Sequence, residues 1–425
     1  MPKKRNHGDG GLYYVKQQDL WRGVLDVGYH PDGRRKQKSV TARTQREARA
    51  KLDKLKAEIA EFGAPLDNTK TVRDWGDYWL ENVCRQKMKP RPFSNYTSAL
   101  KTWIYPAIGK KRLSTLKPSD IRDTILAPLT AGRKPATAVK IHTVLSSMLE
   151  AARKDGLVAR NVAADVDVPS VGESSRDALP TPAALSILQQ ALAHEDGTRW
   201  WVALLAGMRQ GERLGATIDS IDFDKHEFTV QWSLTEATFE HGCGGECRFK
   251  RAGSCPQRKM VLMPGLVHRP LSGRLILVRP KSGKARVFPL IPALEDALRR
   301  YLDATKDRPN PHGLIWRNED GSPITWKQDS EAWRELLFEA GLITEEQVKA
   351  PKDRAVGTAD IPTTHWARHT TATVLMELGV DARIVGEIVG HASTRVTERY
   401  QHVSSEAARN AMNALGGHFA KALEA

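Results

Sequence analysis

The sequence predicts an α+β protein of several domains. A small module of three strands and a helix comes first, then an all-helical domain, then a mixed, mainly helical domain with a small antiparallel sheet. Three observations predict it. Short runs of alternating apolar and polar residues, broken by turn residues, open the chain. Helical spacing dominates residues 70–168. The Pro/Ser-rich stretch VPSVGESSRDALPTP, at 168–182, then marks a boundary to a region where both patterns mix. The 425 residues, 40% hydrophobic, suffice for two or three ordinary cores.

In GLYYVKQQDLWRGVLDVGYHPDGRRKQKSV, breaks at 17–19 and 31–33 divide a three-stranded meander. TQREARAKLDKLKAEIAEF continues with helical spacing through Ala48, Leu52, Leu55 and Ile59, capped by Thr44. This module spans residues 1–65 and a polar linker follows. In 70–168, TVRDWGDYWLENV starts on a threonine cap and carries Trp75, Tyr78 and Trp79, read as core. The long helix in KPATAVKIHTVLSSMLEAARKDGLV turns Val139, Leu145, Met148 and Leu149 inward and ends at Gly156. Residues 178–425 form the third domain, opening on a helix with Thr181 as cap and Pro182 in its first turn. IDFDKHEFTVQW and GRLILVRPKSGKARVFPL read as hairpin strands within it.

Lys and Arg outnumber Asp and Glu by 65 to 50, a net charge of +15. Such a surplus points to a polyanionic partner, nucleic acid first. Residues 1–65 alone hold 15 Lys/Arg against 8 Asp/Glu. Arg34, Arg35, Lys36 and Lys38 at the rim of the first sheet are expected to reach a DNA groove. In the helical domain Lys89, Arg91, Lys101, Lys110, Lys111, Arg112, Arg133 and Lys134 are expected to face phosphates. The start, MPKKRNHGDGG, lacks the apolar segment of a secretory leader, and no apolar run is long enough to span a bilayer. Four cysteines make no disulfide scaffold. A reduced, cytoplasmic setting is expected.

Three stretches carry chemistry. In LLAGMRQGERLG, Glu212 lies three residues after Arg209 and can orient its guanidinium toward phosphate oxygens. In RPKSGKARVFPL, the KSGK turn would put Lys281 at a hairpin tip, within reach of a substrate as proton donor. HWARHTTATVLMELGVDARIVGEIVGHASTRVTERYQHV sets His365 and Arg368 on one helix face, with Thr364 as cap. His391 follows a turn at Gly390, and Tyr400 comes nine residues later. Each residue alone is commonly structural, but the set suits phosphoryl transfer. That reaction needs cationic donors at the non-bridging oxygens, a nucleophile, and an acid for the leaving oxygen. Tyr400 can form a covalent phosphotyrosine, which conserves the phosphodiester energy and allows rejoining without ATP. No acidic cluster for two Mg²⁺ ions stands out, which argues against a metal-dependent nuclease.

With AGMRQGERLG, RPKSGKARVFPL, THWARHTTAT, IVGHAS and TERYQHV in this order, the chain resembles the tyrosine recombinase family, in particular phage integrases of actinobacterial hosts. The family pattern of Arg, Lys, His-x-x-Arg, His or Trp, then Tyr falls on Arg209, Lys281, His365, Arg368, His391 and Tyr400, with Glu212 at the supporting acidic position. Ala367 stands where the family more often has leucine. The resemblance implies arm-site binding by residues 1–65, core-site binding by 70–168, and catalysis by 178–425. It also implies double-stranded attachment sites, a homotetramer on DNA, a host DNA-bending protein, an excision factor, and no cofactor for catalysis. The tail at 404–425 reads as an amphipathic helix, which in this family packs on a neighbouring protomer; packing within its own chain is the alternative. A type IB topoisomerase shares the chemistry, and the N-terminal module disfavours it. A DNA-binding regulator that has lost catalysis is the other rival, and the complete residue set argues against it.

One insertion, 233–270, does not follow from the family core. Cys243, Cys247 and Cys255, with His241 before them, have the donor types of a structural zinc site. The spacing is not that of a standard zinc finger, and a loop with free thiols is the alternative. His268 competes with His241 for the fourth position.

Overall fold

The computed structural model describes residues 11–29, 34–62, 69–171, 178–280, 285–349, 361–390 and 405–419. The chain divides into two compact units, residues 1–86 with 93–172, and residues 87–92 with 173–425.

The first unit opens with an antiparallel meander of β1 (Gly11–Val15), β2 (Leu20–Tyr29) and β3 (Arg35–Ala42). Helix α1 (Gln45–Phe62) lays the expected face, Ala48, Leu52 and Leu55, on this sheet. Leu25 is buried with Leu52 and Leu55, while Val40 and Ile59 pack at the margin. The Thr44 hydroxyl accepts the Glu47 N–H, as its reading as a cap requires.

The helical part begins with α2 (Val72–Trp79), a π-helical turn (Leu80–Cys84) and α3 (Arg85–Lys87). Thr71 and Asp74 form a reciprocal capping box at its start. Trp75 and Trp79 are core, the Trp75 indole donating to the Met148 carbonyl, but Tyr78 is 48% exposed. The inward stripe therefore has two members, and Tyr78 stacks on Trp75 from outside. Next come α4 (Pro90–Ala99), a second π-turn (Leu100–Ile104), α5 (Tyr105–Ile108), α6 (Pro118–Thr130) and α7 (Pro135–Lys154). In α7 Ala138 takes the inward place expected of Val139, and Leu145, Met148 and Leu149 are buried as read. Gly156, at φ 70°, ends this helix, and the Leu157 N–H returns to the Ala152 carbonyl.

The second unit is built around α8 (Thr181–Ala191) and α9 (Thr198–Leu205), whose eight residues are all buried. α8 starts one residue earlier than expected, with Pro180 at the N-cap. After the short α10 (Gln210–Leu214), the chain makes β4 (Ile221–Asp222), β5 (Glu227–Val230), β6 (Ser233–Glu236), β7 (Thr238–Glu240), β8 (Lys259–Val261), β9 (His268–Pro270), β10 (Leu275–Val278) and β11 (Arg286–Pro289). The sheet orders are β11-β5-β4, β6-β10-β9 and β7-β8. β10 and β11 therefore belong to different sheets and are not the two arms of one hairpin, because β6 and β9 take both edges of β10. The remaining helices are α11 (Pro292–Ala304), α12 (Trp326–Glu339), α13 (Glu345–Lys349), α14 (Thr364–Glu377), α15 (Ala382–Val389) and α16 (Ser405–His418). Thr363, not Thr364, is the N-cap of α14. Asp381 caps α15 as expected, its carboxylate accepting the Arg383 N–H.

One apolar core joins these helices to the β11-β5-β4 and β6-β10-β9 sheets, and Ala411, Met412, Leu415 and Phe419 belong to it. In this structure the tail helix thus packs on its own chain. No described helix is long and apolar enough to cross a membrane.

Candidate active site

The site begins where fully buried α9 ends. Ala206, Gly207 and Met208 are buried, and Gly207 has φ 58°, a left-handed conformation open to glycine at little cost. A Cβ there would lie 2.8 Å from Val389 Cγ1, so the glycine also permits the close approach of α15. The turn delivers Arg209 to the N-cap of α10 and Glu212 to its first turn. Glu212 Oε2 accepts the Arg209 backbone N–H at 3.0 Å, and Oε1 accepts Arg209 Nη1 at 2.6 Å.

A second guanidinium meets the same carboxylate. Arg286, on β11, donates from Nη1 to Glu212 Oε2 at 2.7 Å and from Nε to the Ile388 carbonyl at 3.0 Å. A third, Arg368 of α14, donates from Nη1 to the Gly207 carbonyl at 2.8 Å and is 1% exposed. Arg209 Nη2 reaches the Gly390 carbonyl at 2.5 Å. Gly390, at φ 72°, ends α15, and a Cβ on it would lie 3.0 Å from Arg286 Cδ. Arg286 and the end of α15, both far away in sequence, thereby meet the Arg209–Glu212 turn, and Arg368 bonds the Gly207 carbonyl just before it.

The electrostatics are unbalanced. Among the described residues, three guanidinium charges face one carboxylate. Burial pushes the Glu212 pKa up, but the Arg286 and Arg209 charges outweigh it and hold it below the ordinary value. Burial, then repulsion from Arg209 and Arg286, pushes Arg368 down to about 9. Nη2 of Arg368 and Nη2 of Arg286 are buried and find no hydrogen-bond partner among the described residues. Buried donors without acceptors are costly, and guanidinium forks match phosphate oxygens. Such an arrangement is suited to holding an anion.

His365 is exposed on α14, one turn before Arg368, with its ring edge-on to His369 at 4.7 Å between centroids. Lys281, His391 and Tyr400 lie outside the described residues. Of the expected residues, Arg209, Glu212 and Arg368 come together. Ala367 is fully buried beside Arg368. Arg286 was not singled out from the sequence. Its signal was the period of two: it shares a strand face with Phe288, which is fully buried and stacked on Phe228, while Val287 between them faces out.

Among the expected DNA-contact residues, Arg34, Arg35, Lys38, Lys101, Lys110 and Lys111 are exposed, and the Lys36 side chain lies outside the described set. Arg35 is 3.8 Å from Asp26, and Lys111 is held by Asp120 at 2.6 Å. In the insertion, the donor atoms of His241, Cys243, Cys247 and Cys255 all lie within 4.8 Å of one another. His268 is outside this cluster, its Nδ1 bonded to the Leu266 carbonyl.

Residues 270–407 match the model of the phage integrase family, and residues 71–126 match the phage integrase N-terminal SAM-like domain. An integrase of Saccharopolyspora erythraea is 25% identical, over 99% of this chain and 99% of its own. A XerC-like tyrosine recombinase of Caldanaerobacter subterraneus subsp. tengcongensis is 24% identical, over 99% and 100%. Among solved structures, the Tn1549 transposon integrase in complex with transposon right end DNA has a TM-score of 0.59 at 17% identity, covering 82% of this chain and 100% of that one. A λ integrase tetramer bound to a Holliday junction has a TM-score of 0.52 at 17% identity, covering 92% and 98%. The fold and the relatives define an enzyme of site-specific recombination. The chain thus carries phage integrase family domains over 71–126 and 270–407 and is similar along nearly its whole length to curated integrases and XerC-like tyrosine recombinases.

Proposed function

We propose that this recombinase cuts and rejoins duplex DNA through a 3′-phosphotyrosine intermediate, integrating or excising a mobile element. The Tyr400 oxygen attacks the scissile phosphorus, and the bond to the 5′-oxygen breaks. Lys281 gives that oxygen its proton. Arg209 and Arg368 hold the non-bridging oxygens, His365 and His391 assist, and His365 accepts the tyrosine proton. Glu212 fixes the Arg209 fork, and Arg286 completes the cationic pocket. A second 5′-hydroxyl then attacks the phosphotyrosine and releases Tyr400, so no net bond energy is lost. The observation that carries this reading is the guanidinium cluster around Glu212, with two buried guanidinium nitrogens that find no acceptor among the described residues.

The partners follow the same reading: double-stranded attachment sites, a homotetramer on DNA, a host DNA-bending protein and an excision factor, in the cytoplasm of a bacterial host. Residues 1–65 bind arm sites, 70–168 bind core sites, and 178–425 catalyse. Strand transfer uses no cofactor, and the cysteine cluster is a structural zinc site.

A nicked suicide substrate tests the proposal. The parent protein should form a covalent DNA adduct and Tyr400→Phe none, with DNA binding retained. An adduct of undiminished yield with Tyr400→Phe would overturn the assignment.

A further inference from the structure

We propose that His241, Cys243, Cys247 and Cys255 bind one Zn²⁺ ion, which staples the loop between β7 and β8. The geometry of the donors is the first argument. His241 Nδ1 lies 3.2 Å from Cys247 Sγ and 3.9 Å from Cys243 Sγ, and all four donor atoms fall within 4.8 Å. Tetrahedral zinc with sulfur and nitrogen ligands sets neighbouring donors about 3.3–3.8 Å apart, so small side-chain movements close the shell. Three thiolates and an imidazole are a soft donor set that suits zinc. All four positions come from the protein, leaving no open site for water or substrate, which is the pattern of a structural ion.

The surrounding backbone is arranged for thiolates. The N–H groups of Cys247 and Gly245 point at the Cys243 sulfur, and the Phe249 N–H points at Cys247. Outer hydrogen bonds of this kind orient metal ligands. Gly244 and Gly245 have φ of 64° and 98°, which lets the chain turn back between the first two thiols. Gly242 has no room for a side chain, since a Cβ would sit 2.1 Å from the Gln257 carbonyl oxygen.

The loop also has little else to hold it. Residues 241–258 contain one large apolar residue, Phe249, and it is 47% exposed. The ribbon below is anchored differently. Ala237, Ile276 and Val278 pack there with Met260, Leu262 and Leu266. Above Glu240 and Lys259, the last register pair of that ribbon, the buried side chains include Cys243 and Cys255. Burying thiols in a glycine-rich loop with no apolar core yields little unless they are cross-linked. A disulfide would use two of the three and leave one over, whereas zinc uses all three and the histidine.

Metal analysis of the full-length protein, purified under reducing conditions, should find about one zinc per chain. Exchange with Co²⁺ should give the ligand-field bands of a tetrahedral site and a thiolate-to-cobalt charge-transfer band. Cys243→Ser with Cys255→Ser should lose the metal and expose Arg248, Lys250 and Arg251 to rapid trypsin cleavage, while His241→Cys should keep it. If the double variant does not fold, the cobalt spectrum of the parent decides. Three thiols that react freely in the parent, no cobalt bands, or full zinc content in the double variant would each overturn the proposal. None of these readouts involves DNA, so they stand or fall apart from the recombinase reading.

Discussion

Arg368 carries an energetic contradiction. Its charge is buried, its Nη2 finds no partner among the described residues, and two other guanidinium groups repel it. The fold therefore bears a cost that an anion at these guanidinium forks would relieve. Arg368→Met should raise the melting temperature while lowering cleavage of a suicide substrate by about 10²–10³-fold or more, the usual loss for a transition-state donor. The pH dependence follows from the sign. With the folded pKa pushed down to about 9, the unfolded chain binds more protons from there up to the ordinary arginine value. The cost is complete below about 9 and fades above it. The stability advantage of Arg368→Met should thus be flat around neutral pH and shrink in alkali, as thermal melts across pH would record. Glu212 acts in the opposite sense: its depressed pKa contributes stability above the usual carboxylate range, lost as pH falls through the folded value. A parent whose melting temperature is insensitive to phosphate would count against the pocket as an anion site.

Between elements, a buried charge network holds α9, α10 and α12 in register. Asp329, fully buried on α12, accepts Arg213 Nη2 and Gln210 Nε2, both at 2.7 Å, and lies 3.5 Å from Arg199. Both arginines also stack on Trp200. Gln210 adjoins Arg209, so this network supports the anion pocket from behind. Asp329→Ala should cost about 3–5 kcal/mol in denaturant unfolding, since it strands buried cations. Gly207→Ala should destabilise by about 1–3 kcal/mol and depress cleavage further, because strain and the Val389 clash both push α15 away. What the sequence made legible here follows chemical spacing. A carboxylate one helical turn after Arg209, and an arginine one turn after His365, are local facts that survive folding. Arg286 is harder to read because it follows the KSGK turn, and only the alternation of exposed Val287 with buried Phe288 points it inward. The pairing of β10 with β6, rather than β11, was hidden because strand partners are chosen by nonlocal packing. His241 and His268 could not be ranked by proximity in sequence; the β7–β8 ribbon brings one to the thiols and leaves the other on β9.

Across the whole molecule, the net charge of +15 makes DNA affinity salt-dependent. Individual lysines should not contribute alike. Lys110→Ala should reduce the slope of log affinity against log salt by about one. Lys111→Ala should change it less, because Asp120 already neutralises that ammonium. Equal effects in a salt titration would show that the Lys111–Asp120 pair opens on DNA. The chain leaves the described residues at Gly390, tied to Arg209, and returns at Ser405 in α16, packed on the same unit. Seating Met412, Leu415 and Phe419 in the core has a kinetic consequence. A copy that lends this helix to a neighbour must first open its own interior. Any such exchange should proceed at a rate with the steep temperature dependence of unfolding, not the shallow one of diffusion.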